Sequence, residues 1–180
     1  MKILIASDIH GSAYYCKKII SAIERENPDK NLLLGDILYH GPRNDLPRDY
    51  APKEVIAMLS PLKDKLLCVR GNCDTEVDQM VLPFPVLAEY AYVVSEKVNI
   101  FATHGHIFNE DNLPPLSNGD VLLNGHTHIP ALREHESYIY MNPGSVSIPN
   151  ENSEHSYMIF EGTEFLWKNL DGEIYKTYTL

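Results

Sequence analysis

Apolar residues in the first third of the chain come in short runs separated by helical patterns. Ile3 to Ala6 is a compact apolar run and predicts a buried strand. Ser12 stands where it can cap a helix over residues 13–26; Ile19, Ile20 and Ile23 recur there at helical spacing, and Asn27-Pro28 ends it. Leu32-Leu33-Leu34 predicts a second buried strand, stopped by Gly35, and a polar, proline-rich loop follows from Tyr39 to Pro52. Val55, Ile56 and Leu59 predict a second amphipathic helix ending near Pro61, and Leu66-Leu67-Cys68-Val69 a third strand. Strand, helix, strand, helix, strand describes a parallel sheet with helices outside it.

After residue 85 the texture changes to short β-type runs: Tyr92–Ser95, Asn99–Ala102, Val121–Leu123, Tyr138–Met141, Tyr157–Phe160, Glu164–Trp167 and Ile174–Tyr178. Asn118-Gly119, Glu161-Gly162 and Asp171-Gly172 mark turns among them. These runs predict a second, mostly antiparallel sheet packed on the first. No repeat, low-complexity tract or long linker divides the chain, so the expectation is one α/β domain over residues 1–180 in α/β/β/α layers.

Composition adds limits. With 44% hydrophobic and 22% charged residues, the chain is that of an ordinary globular protein. A formal net charge of −10 argues against broad binding to nucleic acid or an anionic membrane. Cys16, Cys68 and Cys73, at irregular spacing, form no disulfide framework; reduced thiols and a cytoplasmic location are expected. The apolar run at the N-terminus is too short for a signal peptide, and none approaches the roughly 18–20 residues that span a bilayer.

The chemistry sits where the apolar runs stop. Five clusters follow hydrophobic segments: Asp8-Ile9-His10, Gly35-Asp36, Gly71-Asn72-Cys73-Asp74, His104-Gly105-His106 and Gly125-His126-Thr127-His128. In a parallel sheet these fall at the carboxyl ends of strands, where α/β proteins place ligands. The 1,3 spacing of Asp8 and His10, and of His126 and His128, lets each pair point the same way. Asp36 can bridge two ions, Asn72 offers an amide oxygen, and His104 an imidazole. The expected ligands are therefore Asp8, His10, Asp36, Asn72, His104, His126 and His128. Mixed nitrogen and oxygen donors suit Mn²⁺, Fe or Zn²⁺ better than Ca²⁺. Two divalent ions with two carboxylates and a hydroxide sum to about +1, a charge that attracts a phosphodiester anion.

Around this set, Arg43 and Arg70 are candidate phosphate binders. Asp74 is a candidate to fix a ligand histidine by a hydrogen bond, with a turn role the alternative, and His106 is a candidate to orient a ligand or a phosphate. His135 and His155 are assigned to the surface, and His40 to the surface or the substrate pocket.

The five blocks, in order over residues 2–146, resemble the calcineurin-like metallophosphoesterase superfamily, whose pattern is D-x-H, G-D, G-N-[HC]-D, H-G-H and G-H-x-H. The chain resembles its small bacterial phosphodiesterases more closely still, through His40-Gly41-Pro42-Arg43-Asn44, Arg70-Gly71-Asn72-Cys73-Asp74 and Asn142-Pro143-Gly144-Ser145. The resemblance implies a four-layer α/β/β/α sandwich of two mixed sheets and a two-metal centre, often manganese. By it, Asp8, His10, Asp36 and His128 hold one ion, and Asp36, Asn72, His104 and His126 the other. Many members carry His where this chain has Cys73, and that His is thought to protonate the leaving group. A thiol is a poor proton donor beside imidazolium. The expectation is a phosphodiesterase in which a metal-bound hydroxide attacks phosphorus, best on diesters with good leaving groups, with Cys73 a small filler beside the metals and a candidate substrate contact. His106 is the first candidate for the acid role. Phosphomonoesterase, nucleotide pyrophosphatase and non-catalytic protein scaffold are the alternatives on this fold. A homo-oligomer through the aromatic-rich C-terminal strands is also open.

Overall fold

The computed structural model describes the whole chain, Met1–Leu180. Strands β1 (Lys2–Ala6), β2 (Lys30–Leu33) and β3 (Leu66–Cys68) pair in parallel. Helix α1 (Ala13–Glu26) links the first two, and α2 (Pro52–Leu59), with a 3₁₀ segment Ser60–Lys65, links the next. Ser12 caps α1 as expected: its hydroxyl accepts from the Tyr15 N–H at 3.2 Å. Asn27 ends the helix in the left-handed region at φ 45°. A short helix, α3 (Glu76–Val81), follows β3, and then eight more strands: β4 (Ala91–Val94), β5 (Asn99–Ala102), β6 (Asp120–Leu123), β7 (Pro130–Glu134), β8 (Tyr138–Pro143), β9 (Ser156–Glu161), β10 (Glu164–Asn169) and β11 (Ile174–Thr179).

These strands form two mixed sheets, ordered β11-β10-β9-β1-β2-β3 and β4-β5-β6-β8-β7. Two details differ from expectation. The last three strands do not join the second sheet: β9 pairs antiparallel with β1 and extends the first. The second sheet is also less antiparallel than expected, because β5-β6 and β6-β8 are parallel pairs.

Strand alternation sorts side chains into layers. Ile3 and Ile5, Leu32 and Leu34, and Phe165 and Trp167 face the second sheet, where Ile100, Val121, Leu123 and Met141 meet them. Leu4, Ala6, Leu33 and Ile159 point the other way, onto Cys16, Ile19 and Ile23 of α1 and Val55 and Leu59 of α2. The outer face of the second sheet carries Phe101, Leu122, Tyr138 and Tyr140, covered by Phe108 and Leu116. That cover is built from turns over residues 103–119 rather than from a helix, so the fourth layer of the sandwich is a loop.

Candidate metal centre

All seven expected ligands stand just beyond the carboxyl ends of parallel strands. Asp8 and His10 follow β1, Asp36 follows β2, Asn72 follows β3, His104 follows β5, and His126 and His128 follow β6. Five of them turn the backbone into the left-handed region: Asp8 (φ 60°), His10 (49°), Asp36 (54°), His126 (65°) and His128 (61°). Asp and His tolerate this region better than most residues, at about 1–3 kcal/mol each. Such strain persists only where the surroundings impose it. Gly35 and Gly71 show the imposition: a Cβ on Gly35 would lie 2.4 Å from the Gly71 nitrogen, and one on Gly71 2.0 Å from Asp36 Oδ1. The loops after β2 and β3 therefore touch backbone to backbone.

The donor atoms fall into two groups that share one carboxylate. In the first, His10 Nε2 lies 3.2 Å from His128 Nε2 and 3.5 Å from Asp8 Oδ1, and His128 Nε2 lies 3.2 Å from the same oxygen. In the second, His104 Nε2 lies 3.0 Å from Asn72 Oδ1 and 3.2 Å from His126 Nδ1. Asp36 Oδ2 stands between them, 3.6 Å from His10 Nε2 and 3.5 Å from His104 Nε2. Its other oxygen accepts from the Cys73 N–H at 2.8 Å, which fixes the carboxylate's orientation.

Backbone carbonyls set the imidazole tautomers. Nδ1 of His10, His104 and His128 lies 2.8, 2.6 and 2.8 Å from the carbonyls of Tyr39, Leu34 and Ile148. A carbonyl only accepts, so in each neutral ring Nδ1 carries the hydrogen and Nε2 presents a lone pair. The lone pairs of His10 and His128 thus face one another, and buried Asp8 Oδ1 accepts no hydrogen bond. Both features fit a divalent cation held among nitrogen and oxygen donors, and neither has another partner in the fold.

Electrostatics agrees. Burial raises the Asp8 carboxyl, but its contacts with His10 and His128 outweigh burial and hold it well below the usual carboxylate range. At His104 burial is outweighed by Asp36 and Asp8, which carry the imidazole up to about 9. His126 goes the other way: burial, then the charge on His104, push it down to about 4. The carboxylates thus favour positive charge at His104, and burial with that charge keeps the neighbouring His126 neutral.

The other expected residues separate around this centre. A cleft of about 430 Å³ opens over Asp36, Asn72, His126 and His128, and Arg43 and Cys73 line it. Burial, then the Asp36 charge, push the Cys73 thiol well up, so it presents a neutral S–H. Arg70 and His106 lie in a neighbouring hollow instead. Asp74 makes no hydrogen bond to a ligand histidine. Its carboxylate accepts from the N–H groups of Asp36, Ile37 and Gly71 at 2.8, 2.9 and 2.7 Å, tying the loops after β2 and β3 together from behind. That geometry leaves no oxygen for a substrate, and the alternative turn role is the better description. His155 is not a surface residue; it is half-buried, stacked on Tyr15 at 4.0 Å. Thr127, Asn150 and Asn44 also line the cleft. Asn44 and Thr127 stand inside motifs quoted above without a role given to them, and Asn150, a neutral side chain on a loop, carries no signal until the fold brings it to the cleft.

A buried two-lobed donor cluster at the strand ends of a two-sheet sandwich defines the class. The chain belongs to the calcineurin-like phosphoesterase superfamily, whose domain matches residues 1–164. It is similar to phosphodiesterase YfcE of Escherichia coli strain K12, with 46% identity over 157 residues, 87% of this chain and 85% of that one. The solved structure of the E. coli protein, described as a phosphoesterase, superposes with a TM-score of 0.96 at 42% identity and covers 99% of both chains. Vps29 of Chaetomium thermophilum shares the fold at 19% identity, with a TM-score of 0.61 and 99% and 98% of the two chains covered.

Proposed function

We propose that this protein hydrolyses a small phosphodiester at a centre of two divalent ions, manganese first, with iron or zinc as alternatives. Asp8, His10, Asp36 and His128 would hold one ion, and Asp36, Asn72, His104 and His126 the other. The observation that carries this reading is Asp36 Oδ2 standing between two donor groups whose tautomers are already set for coordination. The similarity to a named phosphodiesterase over most of both chains supports the choice of reaction. When bound, the ions would acidify a water and neutralise the phosphoryl oxygens as charge builds.

The chain's own residues do the rest. Arg43, exposed at the cleft mouth, steers and orients the phosphoryl anion. Asp74 keeps the Asp36 and Gly71 backbone in register, and the Cys73 N–H holds the Asp36 carboxylate that would be shared between the ions. Cys73 walls the cleft as a neutral group and has no charge-assisted proton to give, which favours diesters with good leaving groups. No residue in the ligand set is missing, as a scaffold that had lost catalysis would allow.

We place the protein in the cytoplasm. All three cysteines are free and buried, and no helix is long and apolar enough to cross a membrane. Pairing of copies through β11, where Ile174 and Tyr175 are exposed at the sheet edge, belongs to the same proposal and is read by sedimentation.

The test compares bis-(p-nitrophenyl) phosphate with p-nitrophenyl phosphate on metal-stripped protein refilled with Mn²⁺, beside a His126→Ala variant. Diester cleavage that returns with the metal and fails in the variant supports the reading. Faster turnover of the monoester moves it to a phosphomonoesterase. No turnover of either ester despite tight metal uptake moves it to the scaffold.

A further inference from the structure

A second hollow, of about 220 Å³, shares Asn72 with the cleft and is not lined by Arg43. Its walls are Arg70, Gly71, Asn72, Glu89, His106 and Ile107. Asn72 lines both spaces, so a phosphorus atom held over the ligand cluster near Asn72 has two adjoining cavities in reach. A monoester has one ester arm to house and a diester has two.

The hollow's chemistry narrows what it takes. Ile107 is its one apolar side chain. Arg70 spends only Nε on the fold, donating to the Asp74 carbonyl at 3.2 Å; its terminal nitrogen lies 4.0 Å from Glu76, beyond hydrogen-bond reach. Glu89 is anchored through its backbone carbonyl, which accepts from the Thr103 hydroxyl at 3.0 Å, and its side chain is free to face a ligand. His106 packs with its ring centroid 5.4 Å from that of His104, and its Nδ1 is buried with no hydrogen-bond partner. A guanidinium donates, a carboxylate accepts and an imidazole nitrogen does either. Hydroxyl groups in the hollow can meet the guanidinium of Arg70 and the carboxylate of Glu89, whereas an aryl ring would leave both unpaired at a cost in affinity.

We propose that this hollow is a second subsite, and that it takes a hydroxylated ester arm, a sugar or polyol. The subsite rests on the phosphodiesterase reading and deepens it by naming the substrate class. Two diesters with the same leaving group test it on the Mn²⁺-loaded enzyme: the p-nitrophenyl ester of thymidine 5′-monophosphate, which carries a sugar arm, and bis-(p-nitrophenyl) phosphate, which does not. The readout is the ratio of their kcat/KM values. Glu89→Ala is expected to lower that ratio about tenfold, mainly through KM, the scale of one hydrogen bond to a charged group. Ile107→Trp, which fills the hollow and keeps Glu89, is expected to lower it as well. A ratio unchanged in both variants, with both diesters still cleaved, overturns the subsite and leaves the phosphodiesterase standing. Failure of the wild-type enzyme to cleave either diester overturns the phosphodiesterase reading and the subsite with it.

Discussion

Two charged clusters in this molecule solve opposite problems. Under the end of α1, the Glu26 carboxylate receives Lys2 at 3.1 Å, Lys168 at 2.5 Å and the Tyr157 hydroxyl at 2.9 Å, while Arg25 donates to that hydroxyl at 3.0 Å. Every acceptor there has a donor from the chain. At the strand ends, Asp8 Oδ1 has none, and imidazole lone pairs confront each other at 3.2 Å. The first cluster is complete and serves the fold. The second leaves acceptors facing acceptors, the arrangement that a metallophosphoesterase domain uses to take up divalent ions. Charge density alone does not separate a structural network from a functional site; the distribution of donors against acceptors does.

The largest expected break in that contrast comes from Asp36→Asn, which removes the shared charge and keeps the shape. Activity on bis-(p-nitrophenyl) phosphate is expected to fall by about a thousandfold, and elemental analysis to show less than two bound ions. Near-normal rates with both ions present would mean that Asp36 bridges nothing. Next comes Asp74→Ala, which leaves three buried N–H groups without an acceptor. A loss of about 3 kcal/mol in urea denaturation is expected, larger than for Asp74→Asn. A change below about 1 kcal/mol would show that the Gly35–Gly71 contact holds the loops unaided.

Asn31 supplies a control. It is fully buried on β2 and neither side-chain polar atom has a partner, yet no donor cluster surrounds it. If an orphaned atom away from the site is only a cost, Asn31→Leu should raise stability by about 1–2 kcal/mol. A loss instead would reveal a buried water that the asparagine holds.

The smallest effect is the pH dependence of the Glu26 network. Burial raises this carboxyl, but Lys168, Lys2 and Tyr157 outweigh it and hold the group below the ordinary 4.5. A carboxyl lowered by folding adds stability above its unfolded pKa and loses it as pH falls through the folded value. Wild type should therefore lose more stability than Glu26→Gln between pH 5 and pH 3, by about the size of one partly buried ion pair. Parallel acid-unfolding curves for the two proteins would contradict it.

Much of this was legible because the signals are local. The apolar runs of β1 and β2, the period of α1 and the Ser12 cap are short-range features, and the ligand motifs are punctuation at their ends. What escaped was either weakly marked or non-local. Helix α3 is only six residues long, and its apolar positions Val77, Met80 and Val81 stay exposed and join no core; its capping box, Thr75 with Asp78, is the other short-range mark. Strand β7 opens on Pro130, which hides an edge strand from pattern reading. The assignment of β9 to the first sheet depends on pairing with a strand more than 150 residues away in sequence. A clue was present, since Tyr157-Met158-Ile159-Phe160 is apolar on both faces, as a central strand is. Within the site, the ligand types were readable, whereas the service of Asp74 to backbone N–H groups and the hollow beside His106 exist only once the loops meet.

The left-handed conformations of the five ligand residues bear on how the centre fills. An unfolded chain rarely holds one such residue in that region, let alone five, and the Gly35–Gly71 backbone contact and the Asp74 hydrogen bonds are constraints that the fold itself places on these loops. Stripped of ions, the protein should keep its rim intact and reload without rearranging its chain. Uptake would then be paced by how fast an ion sheds water, with chain motion adding no delay. On the two-ion reading, a brief loss of metal would leave the protein shaped to refill.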